Sequence, residues 1–168
     1  IRNVLADAVG EEDGVSEAEI HELIPKLKDI REDIAAKRSS GELPFLDLPT
    51  QDISGIRDYI DSVRERFDTF VVIGIGGSAL GNIACHTALR HPYHNMLPAA
   101  KRDGMRLEIP DNVDPDRLRG LLETLTPERT LFNVITKSGS TAETTSSCLI
   151  VKSFLQNSEG IGDTWREH

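Results

Sequence analysis

Apolar positions in the first 67 residues recur at helical spacing. Ile20, Leu23, Ile24, Leu27, Ile30 and Ile34 fall on one face of a helix, and Ser16 with Glu19 three residues on has the spacing of a capping box. Pro25 interrupts that stripe, so a kink or a new helix starting at Pro25 is expected. Ser39-Ser40-Gly41 closes the segment. The apolar stretch from Leu43 to Pro49 reads as an extended surface connector. Ile53, Ile56, Ile60, Val63 and Phe67 form a second helical stripe behind the cap residue Asp52.

From residue 69 the period changes. Phe70-Val71-Val72-Ile73 is a short, β-branched, continuously apolar run that ends in glycines, the mark of a strand buried on both faces. A helix is expected over Ala79 to Leu89, a weaker strand over Arg106 to Ile109, and a helix behind Asp114-Pro115 with Leu118, Leu121, Leu122 and Leu125 on one face. A third strand spans Thr130 to Ile135 and a further helix Thr141 to Leu155; residues 156–168 read as a loop. Alternation of strands and helices implies an α/β fold with a parallel sheet covered on both faces. Residues 1–67 form a helical amino-terminal segment, and residues 68–168 a sheet domain of three strands, few for such a sheet.

Composition changes the picture only in its charge. Hydrophobic residues make up 38% and charged residues 28% of 168, ordinary for a globular chain. The formal net charge of −9 opposes nucleic acid and anionic membrane as partners. An anionic metabolite would have to be held by local dipoles and hydrogen bonds. Cys85 and Cys148 lack ligand spacing and read as reduced cysteines of a cytoplasmic protein. No apolar run is long enough to span a bilayer. The chain begins at Ile1 without a methionine, which leaves a preceding leader open.

Two loops carry candidate chemistry. The first, Gly74-Ile75-Gly76-Gly77-Ser78-Ala79-Leu80-Gly81, follows the first strand directly. Gly74, Gly76 and Ala79 fit a dinucleotide fingerprint, whose acidic ribose partner should lie about 20 residues on; Asp111 comes clearly later. A tight strand-to-helix turn without ligand is the plain alternative. The second loop, Thr136-Lys137-Ser138-Gly139-Ser140-Thr141-Ala142-Glu143-Thr144, follows the third strand. Hydroxyls, one lysine and the amide donors of a helix start suit a phosphate group. Ser140 and Glu143 have capping-box spacing, which would start that helix at residues 140–141. The GKS or GKT tripeptide of a P-loop is absent. Both loops follow strands, so both open on the carboxyl edge of the sheet, where open α/β sheets bind ligands. Asp111 and Asp114 read as turn and cap rather than metal ligands. His86, His91 and His94 lack metal-ligand spacing and read as surface or subunit-contact residues. Trp165, in the tail, is a candidate to pack on parts of the protein outside this chain.

These motifs together resemble the glucose-6-phosphate isomerase (phosphoglucose isomerase) family in its bacterial or archaeal form. Val71 to Gly81 resembles its glycine-rich signature and Ile135 to Thr144 its phosphate loop; Asn112-Val113-Asp114-Pro115 and Gly41-Glu42-Leu43-Pro44-Phe45 are also similar, in the family's order. The resemblance implies two sugar-isomerase (SIS) domains, the first with five strands in order 2-1-3-4-5, so that this chain holds an incomplete first domain. It implies interconversion of glucose 6-phosphate and fructose 6-phosphate through an enediol, a place in glycolysis and gluconeogenesis, a homodimer and no cofactor. Carried over by position, Gly77 and Ser78 match sugar contacts. Thr136, Lys137, Ser138 and Thr141 match phosphate contacts, with Gly139 and Ser140 between them. Thr136 stands where serine is more usual and Ser140 where threonine is, and both keep the hydroxyl. The family's catalytic base matches no position up to residue 168, so no catalytic residue is assigned and the isolated chain is expected to be inactive. A non-catalytic, sugar-phosphate-sensing SIS module and a nucleotide-dependent oxidoreductase domain are the rival readings.

Overall fold

A computed structural model describes residues 4–168. Residues 1–3 of the expected helical segment lie outside the described residues. The chain divides into two compact units, residues up to Ile53 and Ser54–His168.

In the first unit, a short helix α1 (Ala6–Val9) precedes α2 (Glu17–Ser39). The capping box forms: Ser16 Oγ accepts from the Glu19 N–H at 3.2 Å, and Glu19 Oε2 accepts from the Ser16 N–H at 2.8 Å. These bonds hold the Glu19 carboxyl below its usual range. Pro25 lies inside one continuous helix, so no second helix starts there. The apolar stripe from Leu23 to Ile34 is exposed within its unit. Pro44–Thr50 is a 3-10 helix rather than an extended connector, because Pro44 and Pro49 fix backbone angles that tight helical turns accept. Arg38 ties it to α2 through Asp47 at 2.6 Å.

The second unit runs α3 (Ser54–Val63), β1 (Thr69–Ile73), α4 (Gly77–Leu89), β2 (Arg106–Glu108), α5 (Pro115–Leu122), β3 (Thr130–Val134) and α6 (Ala142–Asn157). Helix α3, grouped by the sequence with the amino-terminal helices, belongs to the unit that carries the sheet. The sheet is parallel, in order β2-β1-β3, so β1 is central. Its period-2 alternation sends side chains to two faces. Val71 and Ile73 pack with Leu118 and Leu122 of α5 and Val151 and Leu155 of α6. On the other face, Phe70 and Leu131 pack with Val63 and Phe67.

The tail is not a loop. Gly162–Glu167 is a 3-10 helix, and Ile161 and Trp165 join the core of the α5–α6 face. Trp165 therefore packs on this chain, with the Lys152 ammonium 5.2 Å and the Arg166 guanidinium 4.8 Å from its ring centre. At the amino edge of the sheet, Arg129 clasps Asp68 with bonds of 2.9 and 2.8 Å, holding that carboxyl below its usual range.

Candidate functional site

Strands β1 and β3 are neighbours in register from Thr69↔Thr130 to Ile73↔Val134, and the Ile135 N–H still donates to the Ile73 oxygen at 2.9 Å. The two glycine- and hydroxyl-bearing loops thus leave adjacent strands at one level, about 5 Å apart across the ladder. This register brings both sets of sequence-predicted site residues to the same edge.

On the β1 side the chain turns from Ile73 into α4 within three residues. Gly74 is required by close approach: a Cβ there would lie 3.0 Å from both the Cβ and the main-chain oxygen of Ser78. Asn82, one turn along α4, donates to that same oxygen at 3.1 Å and fixes it. The sequence reading missed Asn82, although its i, i+4 spacing from Ser78 was visible. Gly77 is exposed and Ser78 half-buried.

On the β3 side, residues 136–140 are exposed and Thr141 is half-buried. Gly139 sits at φ +74°, in the left-handed region that favours glycine. That turn folds the loop on itself: Thr136 Oγ1 accepts from the Gly139 N–H at 3.1 Å, and Ser138 Oγ accepts from both the N–H and hydroxyl of Ser140 at 3.2 and 3.0 Å. The Ser140–Glu143 capping box does not form. Ser140 is engaged with Ser138, and the helix starts one residue later with Thr141 as N-cap and no side-chain cap bond. The first-turn amides of Ala142, Glu143 and Thr144 are the donors without intrahelical acceptors. Lys137 makes no ion pair among the described residues. Together these are amide, hydroxyl and ammonium donors at the positive end of a helix dipole, a chemistry that accepts an anion.

The weaker candidates resolve into structure. Asp114 caps α5 by accepting from the Arg117 N–H at 2.8 Å, and Asp111 pairs with the Arg117 guanidinium at 3.0 Å. His94 is buried rather than at the surface, and its ring donates to the Met105 oxygen, just before β2, at 3.1 Å. A cavity of about 470 Å³ lined by Phe67, Asp68, Arg90, Arg102 and Met105 opens at the amino edge of the sheet. It lies at the opposite edge from the two loops, so cavity size does not mark the chemistry here.

The sequence model of the family described as Phosphoglucose isomerase matches residues 56–166, which include both loops and all three strands. The chain belongs to the phosphoglucose isomerase family. It is 43% identical over 157 residues to a glucose-6-phosphate isomerase of Carboxydothermus hydrogenoformans, spanning 92% of this chain and 33% of that protein. It is 40% identical to one of Rubrobacter xylanophilus, spanning 90% and 34%. Among solved structures, a hypothetical protein of Thermus thermophilus superposes with a TM-score of 0.71 at 35% identity, over 88% of this chain and 33% of that one. A glucose-6-phosphate isomerase of Chlamydia trachomatis superposes with a TM-score of 0.52 at 32% identity, over 62% and 18%. The chain spans about a third of the length of the curated relatives it matches. Among the described residues, no helix is long and apolar enough to cross a membrane.

Proposed function

We propose that this chain is the phosphate- and sugar-holding part of a glucose-6-phosphate isomerase, a cytoplasmic, homodimeric enzyme that needs no cofactor. In this reading residues 68–168 form the first, incomplete SIS domain, behind the helical segment 1–67. The phosphoryl group of the sugar lies on Thr136, Lys137, Ser138, Gly139, Ser140 and Thr141, and the sugar lies against Gly77 and Ser78. The base that moves the proton between C2 and C1 comes from the remainder of the protein.

The observation that carries this reading is the Ile73↔Val134 register. A phosphate monoester carries about −1.5 to −2 charge at neutral pH, and the protein's net charge of −9 opposes it. Only a local concentration of donors can overcome that field. The 136–144 turn supplies one, and the register sets the glycine loop beside it at the distance of a neighbouring strand. A dinucleotide reading is weaker, since Asp111, its candidate ribose partner, is engaged by Arg117.

Titration of the chain with glucose 6-phosphate and, separately, with NAD tests the reading. Saturable binding of the sugar phosphate supports it. Binding of the dinucleotide alone overturns it.

A further inference from the structure

Of the two residues proposed to meet the sugar, Gly77 offers only its main chain, so Ser78 supplies the side chain. Ser78 is half-buried, and its hydroxyl makes no hydrogen bond among the described residues. Where that hydroxyl points therefore depends on how the main chain of Ser78 is held.

The start of α4 holds it weakly. The N-cap, Gly76, sits at φ +56° and makes no side-chain cap bond. Gly77 and Gly81 both fall within the first five residues of the helix, and glycine is the poorest helix former after proline. An uncapped first turn with two glycines is prone to fray. The Ser78 N–H does donate to the Ile75 oxygen at 3.2 Å, but that bond ties one part of the same turn to another.

Asn82 supplies a restraint from outside the turn. Its Nδ2 donates to the Ser78 oxygen at 3.1 Å. That oxygen can only accept, so the amide end of the carboxamide faces it. Asparagine is a poor helix-interior residue because its side chain competes for backbone groups. Here the competition adds a second tie to the carbonyl that Gly74 approaches closely from the other side. Asn82 also lines a crevice of about 260 Å³ under α4 with Phe70, Val72 and Leu107. Turned that way, its N–H groups would meet side chains that offer no acceptor, which favours the bond to Ser78.

We infer that Asn82 is a positioning residue, which holds Ser78 in place for the sugar without touching the sugar itself. This rests on the sugar-phosphate reading above. The bonds that fold the 136–140 turn join Thr136 to Gly139 and Ser138 to Ser140, and Asn82 takes no part in them. Loss of the Asn82 donor should therefore weaken the hold on the sugar and leave the hold on the phosphoryl group unchanged.

The test is titration of the chain with glucose 6-phosphate and, separately, with inorganic phosphate, followed by backbone amide resonances. Asn82→Leu keeps the approximate shape and removes the donor. It should lower affinity for glucose 6-phosphate about threefold or more, the size expected for one hydrogen bond, with affinity for inorganic phosphate unchanged. Asn82→Asp, which replaces the donor by an acceptor, should do the same and serves if the leucine variant does not fold. Asn82→Ser should recover most of the loss, because a serine hydroxyl can donate to the carbonyl four residues back. An unchanged glucose 6-phosphate affinity in the leucine or aspartate variant overturns this inference alone. An equal loss for both ligands also overturns it, since general loosening would explain that result. No binding of glucose 6-phosphate by the parent chain overturns the sugar-phosphate reading and the role of Asn82 with it.

Discussion

The main-chain N–H of Phe132 donates to the main-chain oxygen of His168 at 2.5 Å, across the outer edge of β3. Ile135 donates inward to Ile73, so by alternation Phe132 and Val134 direct their N–H groups outward. His168 thus covers the first part of this edge as a neighbouring strand would, its ring packed edge-on to Phe67 at 5.6 Å. Val134, further along, is 42% exposed. An open strand edge templates association. The isolated chain should self-associate with rising concentration in sedimentation velocity; a monodisperse monomer with a sharp thermal transition would contradict this.

At the opposite edge, the Asn95 carboxamide does the work of a strand. Its Oδ1 accepts from the Leu107 N–H at 2.9 Å and its Nδ2 donates to the Leu107 oxygen at 2.6 Å. Asn95→Ala strands both half-buried groups of β2 and should cost about 1–3 kcal/mol in chemical denaturation. A loss below about 0.5 kcal/mol, the range of an ordinary surface change, would show that water replaces the carboxamide.

Gly74→Ala tests the glycine loop by steric means. The new Cβ meets Ser78 at 3.0 Å, so the start of α4 must shift. Affinity for glucose 6-phosphate should fall about threefold or more, since Ser78 has to give by a few tenths of an ångström and the positioning of the loop goes with it. Unchanged affinity would remove Gly77 and Ser78 from the site.

His86 should make stability depend on pH. Its folded pKa is depressed, chiefly by burial, so the unfolded chain binds more protons as pH falls. The ring's contribution is present above the ordinary histidine pKa of about 6.5 and is lost as pH falls through the folded value. Denaturation midpoints measured from about pH 8 to pH 5 should decline more steeply for the parent chain than for His86→Gln. Parallel curves would refute the assignment.

Some of this was legible in sequence and some was not, for physical reasons. The run Phe70–Ile73 declared a buried parallel strand because β-branched continuity admits few other readings. Two capping boxes had identical spacing, yet only Ser16–Glu19 closes. Ser140 is turned toward Ser138 by the left-handed Gly139, a competition that spacing alone does not encode. The tail read as a loop because its apolar residues, Ile161 and Trp165, are sparse and follow neither a helical nor a strand period, so their packing on α5 and α6 leaves no mark in the local pattern. Asn95 was invisible for a related reason: a side chain that completes a strand edge is recognised only once that edge is beside it.

The central claim is that the donors of the 136–144 turn hold the phosphoryl group of a sugar. Backbone amide resonances of the chain, followed during titration with glucose 6-phosphate, test it most directly. The amides of Gly139 through Thr144 should shift together and saturate, with Gly77 and Ser78 following. Saturable shifts confined to other residues, with this turn unmoved, would contradict the account.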